Sequence, residues 1–384
     1  MLFITQTNQL KNFIKDISSS DFVAVDTEFL RETTYWPKLC LIQLATPEIF
    51  ALIDPLAEDL DLAPFFELMV NEKITKVFHC AFQDIEIIYH LSKILPNPIF
   101  DTQIAAMAIG YKESIAYEQL VNNIVHEKLN KSMQRTNWSN RPLTAEQCDY
   151  ASKDVIYLCD IYLHLKKQLA ETGRLNWINE EHDNLQNIKN YISPPEEAWK
   201  RLKLRSHKAK DLFALKKLAA WRESTAQKKN LARSHVIRDA LLIEIALKRP
   251  KNKKDLSKLK NFSSKLEDST IERILEIVKQ CDIPSNEIHA DIERAEDLPE
   301  NASMTLGLLK IILKLTAQEN NICPKILASN EDLENLLKMN GSAVSFMDPS
   351  NWRYDIFGKK VLDFLNGELG FCIKDHKIKL ITAL

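Results

Sequence analysis

Four runs in the first eighty residues carry apolar side chains over lengths suited to strands: Phe22 to Phe29, Leu39 to Ala45, Ile49 to Ile53 and Ile74 to His79. Short connections containing Pro37, Pro47 or polar turn formers separate the first three, which predicts an antiparallel meander. Leu60 to Val70 has helical spacing and would make the crossover to the fourth strand. Further helices are predicted at about 83–95, 102–109, 116–125 and 145–170, with a short strand near Pro98 to Phe100 completing the sheet. The pattern is that of a mixed α/β layer structure.

After Glu171-Thr172-Gly173 the pattern changes. Residues 173–206 are polar, contain Ser193-Pro194-Pro195, and read as a joining segment. From 207 to 283 helical spacing returns, as in Leu212, Leu215, Leu218, Ala219 and Arg222. Residues 284–302 are acidic and polar, a second joining segment, and 303–384 read as helices again, including LLKIILKLTAQ and DIFGKKVLDFLNGELG. The expected domains are therefore 1–172, 207–283 and 303–384.

Composition narrows this picture in two ways. With 45% hydrophobic and 27% charged residues the 384-residue chain has ordinary globular usage, which excludes a largely disordered or fibrous protein. The opening MLFITQTNQLKNFIKDI lacks a basic start followed by an apolar run, and no stretch supplies the ~20 apolar residues of a membrane span, so a cytoplasmic location and no membrane partner are expected. The 7 cysteines include no CxxC pair and read as reduced thiols rather than a disulfide framework or zinc site. Charge changes the picture more. The net charge is −2, yet residues 200–260 hold 20 Lys or Arg against 5 Asp or Glu, leaving −17 for the remainder. One part is suited to polyanions while another collects carboxylates.

Three clusters carry candidate chemistry. Asp26 and Glu28, two apart in the strand VDTEF, project from one face. Like charges on a mostly buried strand destabilise it unless a cation lies between them, and a hard divalent ion suits carboxylate oxygens; a strand end with both groups solvated fits the same pattern. Asp84, in VFHCAFQDIEII, falls in a first helical turn, where the helix dipole alone favours Asp. His79, among carboxylates, reads as a packed residue rather than a ligand. Tyr150 and Asp154 in CDYASKDVIYL share one helix face. They would complete a metal site and orient a water, or make an inconsequential surface hydrogen bond.

In order along the chain, Asp-x-Glu on an early strand, Asp after a later strand and Tyr-x-x-x-Asp on a late helix resemble the DEDD exonucleases of the tyrosine subclass, and among them the bacterial ribonuclease D family. The likeness extends through TTYWPKLCLIQLA (33–45), PIFDTQIAA (98–106) and LNKSMQRTNWSNRPLT (129–144). The segment LKKLAAWRESTAQKKNLARSHVIRDALLIEIA, with Trp221-Arg222, Asn230 and Val236 to Ile245, is similar to the helical HRDC module, and 303–384 to a second, divergent copy.

This resemblance implies a ribonuclease H-like mixed sheet with helices on both faces, followed by two all-α helical modules. It implies 3′→5′ exoribonuclease activity, with Asp26, Glu28, Asp84 and Asp154 holding two divalent cations, Mg²⁺ or Mn²⁺, and Tyr150 helping to place the water. The product would be a nucleoside 5′-monophosphate. Phe29, Trp36, Lys131, Arg135 and Trp138 are candidates for stacking or phosphate contacts around the terminal nucleotide, although aromatic residues at such positions also serve as core. The expected partner is RNA with a free 3′ end, such as a tRNA precursor, bound by a monomer whose basic helices add salt-sensitive affinity. A DNA exonuclease with the same acids, and a binding protein whose nuclease has lost activity, are the rival readings.

Overall fold

The computed structural model describes residues 2–129, 131–203, 208–264, 266–281, 302–338 and 344–382, without the side chain of Lys131. The predicted joining segment 284–302 lies outside the described residues except for Ala302, which opens a helix.

A mixed sheet of β1 (Leu2–Ile4), β2 (Phe22–Leu30), β3 (Lys38–Ala45), β4 (Phe50–Ile53), β5 (Thr75–Phe78) and β6 (Ile99–Asp101) runs in the order β1-β4-β3-β2-β5-β6. The meander β2-β3-β4 is antiparallel, as its short connections require, and β5 and β6 extend it in parallel beyond β2. Helices α1 (Thr7–Asp16), α2 (Ala63–Met69), α3 (Phe82–Ser92), α4 (Thr102–Ala108), α5 (Tyr117–Leu120) and α6 (Ala145–Glu171) cover it. The pleat divides the sheet: Val23, Val25 and Phe78 pack with Ile85 and Ile88 of α3, whereas Phe22, Ala24 and Val77 pack with Val155, Leu158 and Cys159 of α6. Thr144 and Gln147 form a reciprocal capping box that fixes where α6 begins.

Two elements escape the sequence pattern. β1 is three residues long and pairs in parallel with β4, and α1 buries Leu10 and Phe13 in a polar stretch. Residues 173–203 are folded rather than loose, with α7 (Asn179–Leu185) and several 3₁₀ turns. His182 and Tyr191 of this strap are buried, and His182 Nε2 accepts the Asp101 N–H.

The middle helices α8 (Ala209–Lys229), α9 (Arg233–Val236), α10 (Asp239–Lys248), α11 (Lys253–Ser257) and α12 (Asp268–Gln280) enclose their own core, into which the β2–β3 loop inserts Tyr35. Tyr35 donates to Glu223, itself 1% exposed and held by Arg233 at 2.6 Å. The remaining helices, α13 (Ala302–Glu319), α14 (Pro324–Leu327), α15 (Asn330–Lys338) and α16 (Lys359–Leu365), share the apolar cluster of α4 and α6 instead. Contact there is close. Cys323 N–H donates to the Met107 carbonyl, Arg174 bridges the carbonyls of Ala108 and Asn320, and the Trp177 and Trp352 rings stack at 4.1 Å. At Gly110, with φ +99°, a Cβ would lie 2.7 Å from the Asn321 side chain, so only glycine allows this approach.

The C-terminal region is not helical to its end. After α16 comes a two-stranded antiparallel hairpin, β7 (Leu369–Lys374) and β8 (Lys377–Thr382). Its turn places Asp375 and His376 at φ 54° and 60°, the doubly left-handed geometry of a tight hairpin, and this Asp-His pair lacks the glycine that usually advertises it. All 7 cysteines are free thiols.

Candidate active site

The strand β2 delivers Asp26 and Glu28 to the sheet face that α6 covers, opposite Gln43 and Leu41 of β3. A β-bulge follows Glu28, which bends the strand where its carboxylate must turn toward the helix. From α6 comes Asp154. One carboxylate oxygen from each of Asp26, Glu28 and Asp154 lies within 4.8 Å of the other two. Tyr150, one helical turn earlier, hydrogen-bonds the Asp154 carboxylate, and the Tyr117 hydroxyl donates to the Asp154 carbonyl at 2.6 Å, fixing that turn of α6.

Asp84 reaches the same cleft from the other layer. It stands in the first turn of α3, on the side of the sheet toward which Thr27 points, and the Thr27 hydroxyl donates to its Oδ1 at 2.5 Å. It is not part of the group of three mutually close oxygens, although it lines the same cleft of about 260 Å³ with Asp26, Glu28, Tyr117, Tyr150 and Asp154. The turn entering α3 is held from β6: Asp101, 3% exposed, accepts the N–H groups of Cys80 (φ 60°) and Ala81. His79 contacts Thr102 and the Ile115 carbonyl through its two ring nitrogens, and burial lowers its pKa; it is a packed, neutral residue.

Four carboxylates in so little space are costly without cations. Burial pushes Asp26 up to about 7, and burial followed by repulsion from Asp26, Asp154 and Asp84 pushes Glu28 to about 10. Asp84 and Asp154 are raised well above the usual carboxylate range, by burial first and Asp26 second. Asp154 Oδ1 is buried without a hydrogen-bond donor. An orphaned oxygen on a carboxylate clustered with two others is what an oxygen-seeking divalent cation would satisfy, so the donor set fits such an ion.

Residues 1–170 match the family model of the 3′-5′ exonuclease domain, and residues 211–278 that of the HRDC domain. Ribonuclease D of Bartonella henselae is 45% identical over 381 residues, covering 98% of this chain and 93% of that protein. Ribonuclease D of Sphingobium indicum is 38% identical over 380 residues, covering 98% and 97%. The chain belongs to the ribonuclease D family. The crystal structure of Escherichia coli RNase D, an exoribonuclease involved in structured RNA processing, has the same fold, with a TM-score of 0.81 at 28% identity over 95% of this chain and 98% of that one. This ribonuclease D family member is accordingly a metal-dependent 3′→5′ exoribonuclease, a phosphodiester hydrolase acting on RNA.

The other candidates from sequence separate. Phe29 lines the cleft. Trp138 does not: it is 1% exposed, packed with Cys40, Leu41 and Ala151 and 6.1 Å from the Tyr150 ring, so it supports Tyr150 from behind and has no face for a base. Trp36 is turned away toward the middle helices, its backbone N–H donating to Asn230 Oδ1 and its ring stacked on His90. Arg135 is exposed, and the Lys131 side chain lies outside the described residues. The loop bearing these residues is anchored by Arg141, which forks onto Asp54 with two 2.6 Å contacts and donates to the carbonyls of Cys40 and Trp138. Sequence reasoning missed Tyr117, Gln134 and Thr27, which also line the cleft. Thr27, lying between the two acids of VDTEF, was legible by position; Tyr117 stands in no motif.

Proposed function

We propose that this enzyme trims the 3′ ends of structured RNA such as tRNA precursors, with Asp26, Glu28, Asp84 and Asp154 holding two divalent cations, Mg²⁺ or Mn²⁺. The observation that carries the reading is the buried, donorless Oδ1 of Asp154, whose carboxylate clusters with those of Asp26 and Glu28. When bound, the cations supply a nucleophilic water and neutralise charge on the departing 3′ oxygen. Tyr150 stays protonated, since burial and then Asp154 push its phenol well above its ordinary pKa; it orients the water as a hydrogen-bonding partner and does not act as a base. Thr27 holds Asp84, Tyr117 holds the Asp154 turn, and Phe29 is placed to contact the terminal nucleotide.

The middle helices support the RNA reading through charge. Arg222 and Arg233 are committed internally, to Asp239 and Glu223, but Lys228, Lys229, Lys251 and Lys254 stand exposed for phosphate contacts that weaken with salt. The Escherichia coli relative acts in structured RNA processing, which favours a folded substrate with a single-stranded tail. A monomer suffices, because all the proposed ligands come from one chain.

The test is degradation of a tRNA-like transcript with a 3′ extension, and of the same sequence as DNA, in Mg²⁺, Mn²⁺ or chelator. Metal-dependent release of 5′-mononucleotides from the RNA extension, stopping at the folded body, is the expected result. Equal attack on the DNA would remove the RNA specificity, and products bearing 3′-phosphates would remove the proposed direction of attack.

A further inference from the structure

A second cavity, of about 250 Å³, opens where the β2–β3 loop and the end of α3 meet the strap and the middle helices. Its walls include the half-buried rings of Trp36, Tyr89 and His90, the exposed Lys93, and Tyr191 and Pro194 from the strap. His90 and Trp36 are stacked, with centroids 4.2 Å apart and planes inclined by 13°, and Lys93 Nζ sits 5.3 Å from the centre of the Tyr89 ring. His90 Nδ1 is buried with no hydrogen-bond partner.

A row of rings runs from the start of α3 to the cavity. Phe82, 43% exposed at the start of α3, lies 5.2 Å from Tyr191, and Tyr191 lies 6.2 Å from Tyr89. Helix α3 carries Asp84 and Gln83 at the cleft and Tyr89 and His90 at the cavity, where Lys93 caps its C-terminal end. Aromatic faces interleaved with a cation are what a single strand needs: stacking for bases and a positive charge for the backbone.

We propose that this cavity is a docking site for a nucleotide of the RNA strand upstream of the scissile bond, its base against Trp36 and Tyr89 and its phosphate against Lys93. The proposal rests on the exoribonuclease reading and extends it. From Asp84 to His90 the helix rises about 9 Å, or roughly two to three nucleotides at the ~3.4 Å spacing of a stacked strand, so the occupant is about the third or fourth nucleotide from the 3′ end. A tail too short to reach the cavity lacks this contact.

The experiment measures equilibrium binding of the full chain, in chelator so that nothing is cleaved, to single-stranded RNAs of increasing length, and compares octanucleotide with dinucleotide. In the wild type, affinity rises as the strand reaches the cavity. Tyr89→Ala and Lys93→Ala each cut the octanucleotide-over-dinucleotide gain, by about tenfold for the lost ring. Tyr89→Phe, which keeps the ring, retains the gain and separates lost stacking from a folding defect. In parallel, 4-thiouridine placed third or fourth from the 3′ end should crosslink to α3 or to the strap at 191–195. An undiminished gain in both Tyr89→Ala and Lys93→Ala, or crosslinks confined to other surfaces, overturns the proposal. A wild-type chain that neither binds the octanucleotide nor degrades RNA with metal restored would remove the exoribonuclease reading, and this site with it.

Discussion

Replacing Asp26 by Asn should inactivate the enzyme and stabilise it when no metal is present. In the folded chain burial raises the Asp26 carboxyl from 3.8 to about 7, a difference of about three pH units. At ~1.36 kcal/mol per unit this is a ceiling of about 4 kcal/mol charged against the native state at neutral pH. Relaxation of the cleft and entry of water lower the usable gain to about 1–2 kcal/mol. The amide retains an oxygen to accept the Thr27 N–H that the carboxylate now accepts. The sign follows from proton uptake. The folded state binds more protons than the unfolded state between about pH 4 and 7, so the burden is absent below pH 4, grows through that window and is complete above 7. Thermal unfolding in chelator should therefore show Asp26→Asn and wild type alike near pH 4, and the variant higher at pH 8, by about 2–4 °C per kcal/mol. Adding Mn²⁺ should raise the wild type and leave the variant nearly unmoved. If the variant melts at or below the wild type in chelator at pH 8, the carboxylates do not burden the fold, and the case for balancing cations falls.

Other substitutions separate chemistry from support. Asp154→Ala should abolish cleavage yet bind RNA with unchanged salt dependence; normal turnover by this variant would refute the metal site. Tyr150→Phe should slow single-turnover cleavage by about 10²–10⁴-fold with little change in melting temperature. Trp138→Ala empties a fully buried site behind Tyr150 and should cost about 3–5 kcal/mol, read by denaturant unfolding. Glu223→Ala strips Arg233 and Tyr35 of a partner that is 1% exposed, and should cost about 3–5 kcal/mol in the middle helices, visible as an earlier transition of that unit.

The meander and α6 were legible because apolar spacing is local: the helix expected at about 145–170 spans Ala145–Glu171, and the structure adds the Thr144–Gln147 capping box that starts it. The cleft residues were legible for a different reason: strand alternation puts Asp26 and Glu28 on one face, and helix periodicity puts Tyr150 and Asp154 on another, before any packing is known. What failed depends on tertiary placement. Trp36 and Trp138 lie in segments of equal likeness to the family, yet one is drawn to the middle helices by Asn230 and the other sinks beneath Tyr150. Asp84 gave no sign that it would arrive from the opposite layer through Thr27. β1 is too short to show a period, and the terminal hairpin turns on Asp375-His376 where no glycine marks it.

The apolar cluster shared by α4, α6 and the last helices has a consequence for how the enzyme comes into being. Synthesis begins at the N-terminus, and domains ordinarily fold as they emerge. Here the layer beneath Asp154 is closed by residues such as Leu309, Ile326 and Phe357, which are synthesised after the middle helices. The middle helices, with a core of their own, are ready earlier. A nascent chain thus completes the core of its middle helices before the apolar layer beneath Asp154 is closed. A chain cut short before α13 would keep that middle core and leave the apolar face of α4 and α6 uncovered.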